Sequence, residues 1–495
     1  MTTHLPILQV IIPLLAAPFC IFLRIPRLVG IFAILVSAAA FLVSCGLLQQ
    51  VITAGTISYK LGGWPAPWGI EYRIDILNVY LLLLVSAMST IVLVAAQTSI
   101  KKELPEDRHV FFYTSFLLCL TGLLGILATA DAFNVFVFLE ISALSTYTMI
   151  ALGTDRRALT ASYQYLIMGT IGATFIIIGV GLMYMMTGTL NMYDLAERLP
   201  EVNTSRTVLS AFGFFIVGVC LKLALFPLHL WLPNAYAFAP SIATAFLAAT
   251  ATKVAVYLLI RLVFSIFGIE FVVTVLPMQE IFMVLGLAGI FAASVSAIYQ
   301  LNIKRLFAYS SVAQIGYMIL GLAIGTKLGL VATLVHMFNH ALMKAAVFLA
   351  IGGAVYRIHS AQLIHFAGLG RKMPLTMAAI VIGGLSLIGV PLTVGFVSKW
   401  YLVLALLENG WWPVAILVLM SSLLAVMYVW RTVEWIYFTP PRINIDDVTE
   451  APLSQLIPIW ILVLANIYFG LNTSLTVGLS KMAAESLYGI FGGVL

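Results

Sequence analysis

The sequence predicts an all-α polytopic membrane protein of about fourteen transmembrane helices, and three observations carry that expectation. Of its 495 residues, 62% are hydrophobic and only 9% charged, against roughly 25% charged residues in soluble domains. Mean hydropathy is +1.09. Apolar stretches of about 20 residues, the length that crosses the hydrocarbon of a bilayer, recur from end to end with short polar loops between them. No soluble segment is long enough to hold a catalytic core. Composition thus overrides the soluble, multi-domain reading that length alone would suggest.

In chain order the spans fall near 4–23, 28–53, 75–97, 110–130, 132–152, 162–187, 208–232, 239–265, 272–299, 303–325, 328–356, 374–406, 411–437 and 453–475. The opening MTTHLPILQVIIPLLAAPFCIFLRI has neither the basic n-region nor the A-x-A site of a cleaved signal, so it reads as the first span. Between spans two and three, TAGTISYKLGGWPAPWGIEYRID mixes aromatics with Gly and Pro and predicts a small β-hairpin at the interface. The seventh span reads GVCLKLALFPLHLWLP, with Pro227 five residues after Lys222. The twelfth reads GGLSLIGVPLTVGFVSKWYL, with Pro391 eight residues before Lys399. Proline removes a backbone donor and opens the ladder near residue i−4, so both spans are expected to break. Interrupted helices at matching places in two halves point to an ion path.

Orientation follows from the basic residues. Fourteen Lys and Arg, among them Arg24, Arg27, Arg156 and Arg157, lie in loops after odd-numbered spans. Seven, including Arg198, Arg261 and Lys327, lie in the other loops and the tail. This bias puts the odd loops in the cytoplasm and both termini outside, in a cell (inner) membrane. Topology also accounts for the pI near 9.0 and net charge of +6 without any nucleic-acid partner.

Four lysines remain, and all fall inside spans: Lys222, Lys253, Lys344 and Lys399. Glu140, in FVFLEISAL, is the one acid near mid-membrane. A bare charge at that depth costs about 3 kcal/mol or more, so such groups pair or line a hydrated path. His336, His340 and Lys344 recur every four residues on an otherwise apolar helix and share one face. Successive members stand about 6 Å apart along the axis, a gap that suits one bridging water. Histidine exchanges protons near neutral pH, and a lysine out of water holds its proton with help from a nearby negative charge. The stripe therefore reads as a proton relay. His229, lone and near a span end, fits a structural role as well. Asn134, Gln164, Ser310, Ser311 and Gln314 suit either waters along the path or bridges between helices. Cys20, Cys45, Cys119 and Cys220 are scattered without C-x-x-C spacing, and no GxGxxG, Walker or HExxH pattern occurs, so no cofactor or metal site is expected.

Several stretches together resemble one known family: FVFLEISALSTY, LFPLHLWLPNAYAFAPS, IKRLFAYSSVAQIGYM, HMFNHALMKAAVFL and GVPLTVGFVSKW. These are similar to the proton-pumping membrane subunits shared by Mrp-type cation/proton antiporters, respiratory NADH dehydrogenase and membrane-bound hydrogenases. Within that family the pattern is most similar to the D subunits of the antiporters. The resemblance implies fourteen helices, with helices 4–8 and 9–13 as two inverted five-helix repeats and helices 7 and 12 broken. It divides the chain into 1–108 (three helices and the hairpin), 109–266 (first repeat), 267–437 (second repeat) and 438–495 (helix 14 and tail). It also implies roles: Glu140 pairs with Lys222, Lys253 is the central group of helix 8, His336, His340 and Lys344 link the half-channels, and Lys399 is the terminal group. At Asn234 the sequence departs from the acid that many members carry there.

Three functions follow for comparison. The first is a proton-translocating subunit of a multisubunit Na+/H+ antiporter, with other membrane subunits, the lipid bilayer, protons and Na+ as its partners. The second is a pumping subunit of a redox-driven complex, itself without a redox centre. The third, a quinone-binding redox subunit, is weakened by polar residues placed at several depths rather than around one pocket.

Overall fold

The protein is described from a computed structural model covering residues 2–23, 25–274 and 276–491. Arg24, counted above among the odd loops, lies outside the described residues. Thirteen helices among these residues are long and apolar enough to cross a membrane. A further crossing is made by two 15-residue pieces, Pro374–Ile388 and Val394–Glu408, which together form the twelfth span. Fourteen crossings result, in the expected order.

The loops alternate between two faces. On one face the hairpin strands β1 (Ile57–Lys60) and β2 (Glu71–Ile74) pair antiparallel, Ile57 with Ile74 and Lys60 with Glu71. The Ala130 amide donates to the Glu71 carbonyl, and Asp131 bridges Asn191, so the loops after spans two, four and six meet there. On the other face Asn302 bridges Gln362, joining the loops after spans nine and eleven.

The eleventh span, Lys327–Ile358, is the axis of the fold. It packs against spans three, eight, ten, twelve and fourteen. The eighth and tenth spans are 94% buried over their most apolar stretches, whereas only 33% of the thirteenth is buried within this chain. Leu42, Leu423 and Leu464 are exposed on such outer faces, as expected where hydrocarbon is the solvent.

Three features depart from the sequence expectation. The eighth span is not continuous: Thr250, at φ −122° and ψ −57°, separates Ser241–Ala249 from Ala251–Ile260, and a π turn, Arg261–Ile266, follows. The fourteenth span ends at Leu471, and the tail forms a further helix, Ser474–Phe491, packed on spans three and eleven. Its Lys481 and Glu485 dilute the hydropathy that marks a span in the sequence. Arg261, assigned above to a loop, is buried inside the eighth span, its Nη2 donating to Asp75 Oδ2 at 2.6 Å. That pair ties the π turn to the start of the third span, where Asp75 also caps the amides of Leu77 and Asn78.

Candidate ion path

Both spans expected to break do so, whereas Pro13 and Pro18 in the first span and Pro458 in the fourteenth lie inside continuous helices. The seventh runs as a helix over Arg206–Leu223, turns through Ala224 at φ +60° and resumes at Trp231–Phe238. Ending a helix inside a membrane leaves its last carbonyls without partners. Trp231 Nε1 takes up the Leu221 carbonyl at 3.0 Å. Lys222 lies in that last turn, where the negative end of the helix dipole favours a cation. Its Nζ is 3.5 Å from Glu140 Oε1 of the fifth span.

In the twelfth span the break runs from Gly389 to Thr393, with Gly389 at φ +93° as the left-handed cap. Here the lysine follows the break instead of preceding it. Lys399 Nζ reaches back to the Leu387 and Ile388 carbonyls at 3.2 and 2.8 Å and to Ser422 Oγ at 2.9 Å. The halves approach so closely that a Cβ on Gly395 would sit 1.7 Å from the Ser386 carbonyl oxygen.

The other two lysines also hold carbonyls. Lys253 Nζ donates across the Thr250 kink to the Ala248 carbonyl, with Thr252 Oγ1 at 3.5 Å. Lys344 Nζ donates to the Phe307 carbonyl at 2.8 Å and to Ser310 Oγ. Both side chains are wholly buried.

Between them lies the histidine stripe. His336 and His340 stack with ring centroids 6.0 Å apart and planes 4° from parallel, the spacing expected from four residues of helical rise. His336 Nδ1 is 2.8 Å from Ser398 Oγ, beside Lys399 in sequence. Among the described residues His336 Nε2 and both nitrogens of His340 have no hydrogen-bond partner. Tyr317 bridges the stripe to the second break: its ring is 5.8 Å from His336 and 4.9 Å from Lys399 Nζ. The eighth span, which carries Lys253, packs directly against the eleventh, which carries the stripe. A cavity of about 30 Å³ lies between Lys222 and Ala251, Val254 and Ala255 of the eighth span, room for water.

The structure pairs Glu140 with Lys222 at the first break and brings His336, by way of Ser398 and Tyr317, to Lys399 at the second, while Lys253 lies on the eighth span, which packs against the eleventh span and its stripe. Sequence reasoning missed Tyr317, Ser398 and Ser422, which touch the predicted lysines and histidines, and the Thr250 kink. Hydroxyl groups and one tyrosine carry no pattern that would have singled them out. Of the polar residues noted earlier, Ser310 holds Lys344, whereas Gln164 accepts from Asn234 Nδ2 at 2.9 Å, away from the line.

A polytopic helical bundle with two interrupted spans and a file of buried bases is the architecture of a membrane ion-translocating protein. Residues 129–425 match the family described as NADH:quinone oxidoreductase/Mrp antiporter, TM, and the chain belongs to that family. The N subunit of the NADH-quinone oxidoreductase of Desulforudis audaxviator (strain MP104C) is 42% identical, covering 95% of this chain and 96% of that one. The D subunit of the Na(+)/H(+) antiporter of Bacillus subtilis (strain 168) is 29% identical, covering 97% of this chain and 96% of that one. A chain of the membrane-bound sulfane sulfur reductase, an archaeal respiratory membrane complex, superimposes with a TM-score of 0.90 at 31% identity, over 99% of this chain and 100% of that one. A chain of the Mrp complex from Dietzia sp. DQ12-45-1b gives 0.88 at 23% identity, over 98% and 97%, and shares the fold.

Proposed function

We propose that this chain is the proton-translocating membrane subunit of a multisubunit complex. The path runs from Glu140 and Lys222 through Lys253, Lys344, His340 and His336 to Lys399. The observation that carries this reading is the set of buried amines and imidazoles set between the two helix breaks, with Glu140 against Lys222 at one end and His336, Tyr317 and Lys399 in contact at the other. A proton wire needs groups that both accept and donate. The unpartnered ring nitrogens of His336 and His340 supply them, with water closing the remaining gaps. Glu140 acts as the switch: while near, it holds the Lys222 proton, and its withdrawal lets the proton move on.

The two breaks belong to two five-helix halves, 109–266 and 267–437, flanked by 1–108 and 438–495. The odd loops face the cytoplasm of a cell (inner) membrane, and both termini lie outside. A reporter at Asp155–Arg157 is expected to read cytoplasmic; an external reading there would reverse the orientation.

Two sources of coupling are open to such a path. In the first, the complex exchanges protons for Na+, as the name of the antiporter D subunits says of those proteins. In the second, redox chemistry in partner subunits drives the path, a reading favoured by the 42% identity to an NADH-quinone oxidoreductase subunit. Purifying the native complex separates them, since small antiporter subunits and iron–sulfur subunits are easily told apart. In reconstituted complex, Lys222→Ala and Lys344→Ala are each expected to slow proton translocation about tenfold or more. Full translocation by an assembled Lys344→Ala complex would remove the relay.

A further inference from the structure

The largest cavity described, about 440 Å³, lies at the odd-loop face, away from the file of bases. Its wall includes Lys102 and Glu103 from the end of the third span, Asp155 and Arg157 from the turn into the sixth, Lys304 from the start of the tenth and His359 just after the eleventh. Two of these groups are built into its inner end. Lys304 is 4% exposed, and its Nζ donates to the Ala239 carbonyl at 3.2 Å. Glu103 lines the same cavity and is held two residues further along the segment that holds Lys304. The Glu103 carboxylate accepts from Ser99 Oγ at 2.6 Å and from the Ser241 amide at 2.7 Å. The Ser241 hydroxyl is buried beside it, without a partner among the described residues. A buried lysine resting on one carbonyl at the end of a polar cavity is more than a loop charge.

Its position along the tenth span gives it a purpose. Three residues further on, Phe307 presents the carbonyl that holds Lys344 Nζ, with Ser310 beside it. Three residues of helix rise about 4.5 Å. Lys304 thus belongs both to the cavity and to the turn of the tenth span that leads to the anchor of Lys344.

We propose that this cavity is the aqueous access site of the path on the odd-loop face, with Glu103 and Lys304 passing protons between it and Lys344. A hydronium ion in the cavity protonates the Glu103 carboxylate and leaves as water. The carboxylic acid gives that proton, through water in the cavity, to a neutral Lys304 amine, and Lys304 passes it through water to a neutral Lys344 amine. Glu103 and Lys304 end as they began, and the reverse sequence serves proton exit.

This inference rests on the relay reading, and the test keeps the two apart. Proton translocation is measured in the reconstituted native complex, with assembly checked for each variant. Lys304→Gln and Glu103→Gln are expected to slow it about fivefold. Lys304→Arg is the sharper variant, because it keeps the charge and the bond to Ala239 but cannot release its proton; it is expected to be as slow as Lys304→Gln. Restoration of the normal rate by arginine would make Lys304 a structural lysine and overturn the proposal. Independently of folding, Thr154→Cys at the cavity wall, labelled with a bulky membrane-impermeant maleimide after assembly, is expected to block translocation. Labelled Asp107→Cys, exposed on the same face outside the cavity, serves as the control and keeps its rate. If Lys344→Ala is slow while the Lys304 variants and the labelled Thr154→Cys run at the normal rate, the access site is wrong and the relay stands. If Lys344→Ala runs normally, both fall.

Discussion

The two broken spans solve one problem in opposite ways. In the seventh, the lysine precedes the break and its amine faces a carboxylate, Glu140, 3.5 Å away on another span. In the twelfth, the lysine follows the break and its amine caps the helix end itself, on the Leu387 and Ile388 carbonyls. A carboxylate can move, and its full charge leaves with it. Backbone carbonyls at a helix end cannot be withdrawn without unmaking the helix. The first break is therefore suited to switching, and the second to holding a steady environment from which a proton leaves or arrives. On the relay proposed above, the difference would place control of the path at Glu140 and Lys222 and make Lys399 its fixed terminus.

The comparison breaks most directly at the first site. Glu140→Ala and Lys222→Ala are each expected to reduce proton translocation by about a hundredfold with the complex assembled. Glu140→Asp should keep part of the rate. Exchanging the charges, Glu140→Lys with Lys222→Glu, should recover part of what either single change loses. An assembled Glu140→Ala complex at near-normal rate would end the distinction between the two breaks.

Next in size is the link between them. Replacing both His336 and His340 with Leu removes every exchangeable group between Lys344 and Tyr317 on that face, and a loss of about tenfold is expected. Either histidine alone should cost about twofold, because water can partly fill a single gap. A double variant that misassembles, with no separate transport defect in the single ones, would mark the rings as packing residues.

At the second break, Gly395→Ala tests the rigid cage. The added methyl cannot fit against the Ser386 carbonyl, so the halves must shift and carry the Lys399 carbonyls with them. A loss of about fivefold is expected, together with a lower melting temperature of the complex. The smallest effect belongs to Ser422→Ala, which removes one of three partners of Lys399 Nζ and leaves both carbonyls in place. A stability change of about 1 kcal/mol and nearly full translocation are expected. A large transport loss there would make Ser422 a member of the path.

Much of this was legible along the chain. Hydrophobic length marks each crossing, because a bilayer demands about 20 apolar residues whatever the packing. Pro227 and Pro391 mark the breaks, because proline removes a ladder donor, although Pro13, Pro18 and Pro458 sit inside helices that continue past them. The His336, His340 and Lys344 stripe needs only the helical period, and Lys222, Lys253 and Lys399 stand out because charge is so rare in such spans. The partner of each amine is another matter. Pairing of Glu140 with Lys222 was expected from family resemblance alone, and the carbonyls that hold the other three lysines are groups every residue possesses. The kink at Thr250 has no proline to announce it.

What the sequence by itself determined is how many times this chain crosses the membrane, where two of its helices stop, and which spans carry a buried base. Those properties come from local covalent chemistry and from transfer of side chains out of water, and both are written residue by residue. Only the tertiary structure decided that Tyr317 and Ser398 join the stripe to the second break, that the carbonyl of distant Phe307 holds Lys344, and that Arg261 and Lys304 are buried rather than loop charges. Asp75 and Arg261 are 186 positions apart, and Lys304 finds its carbonyl 65 positions away. Such contacts depend on which helices come to lie side by side, and no single helix records its neighbours.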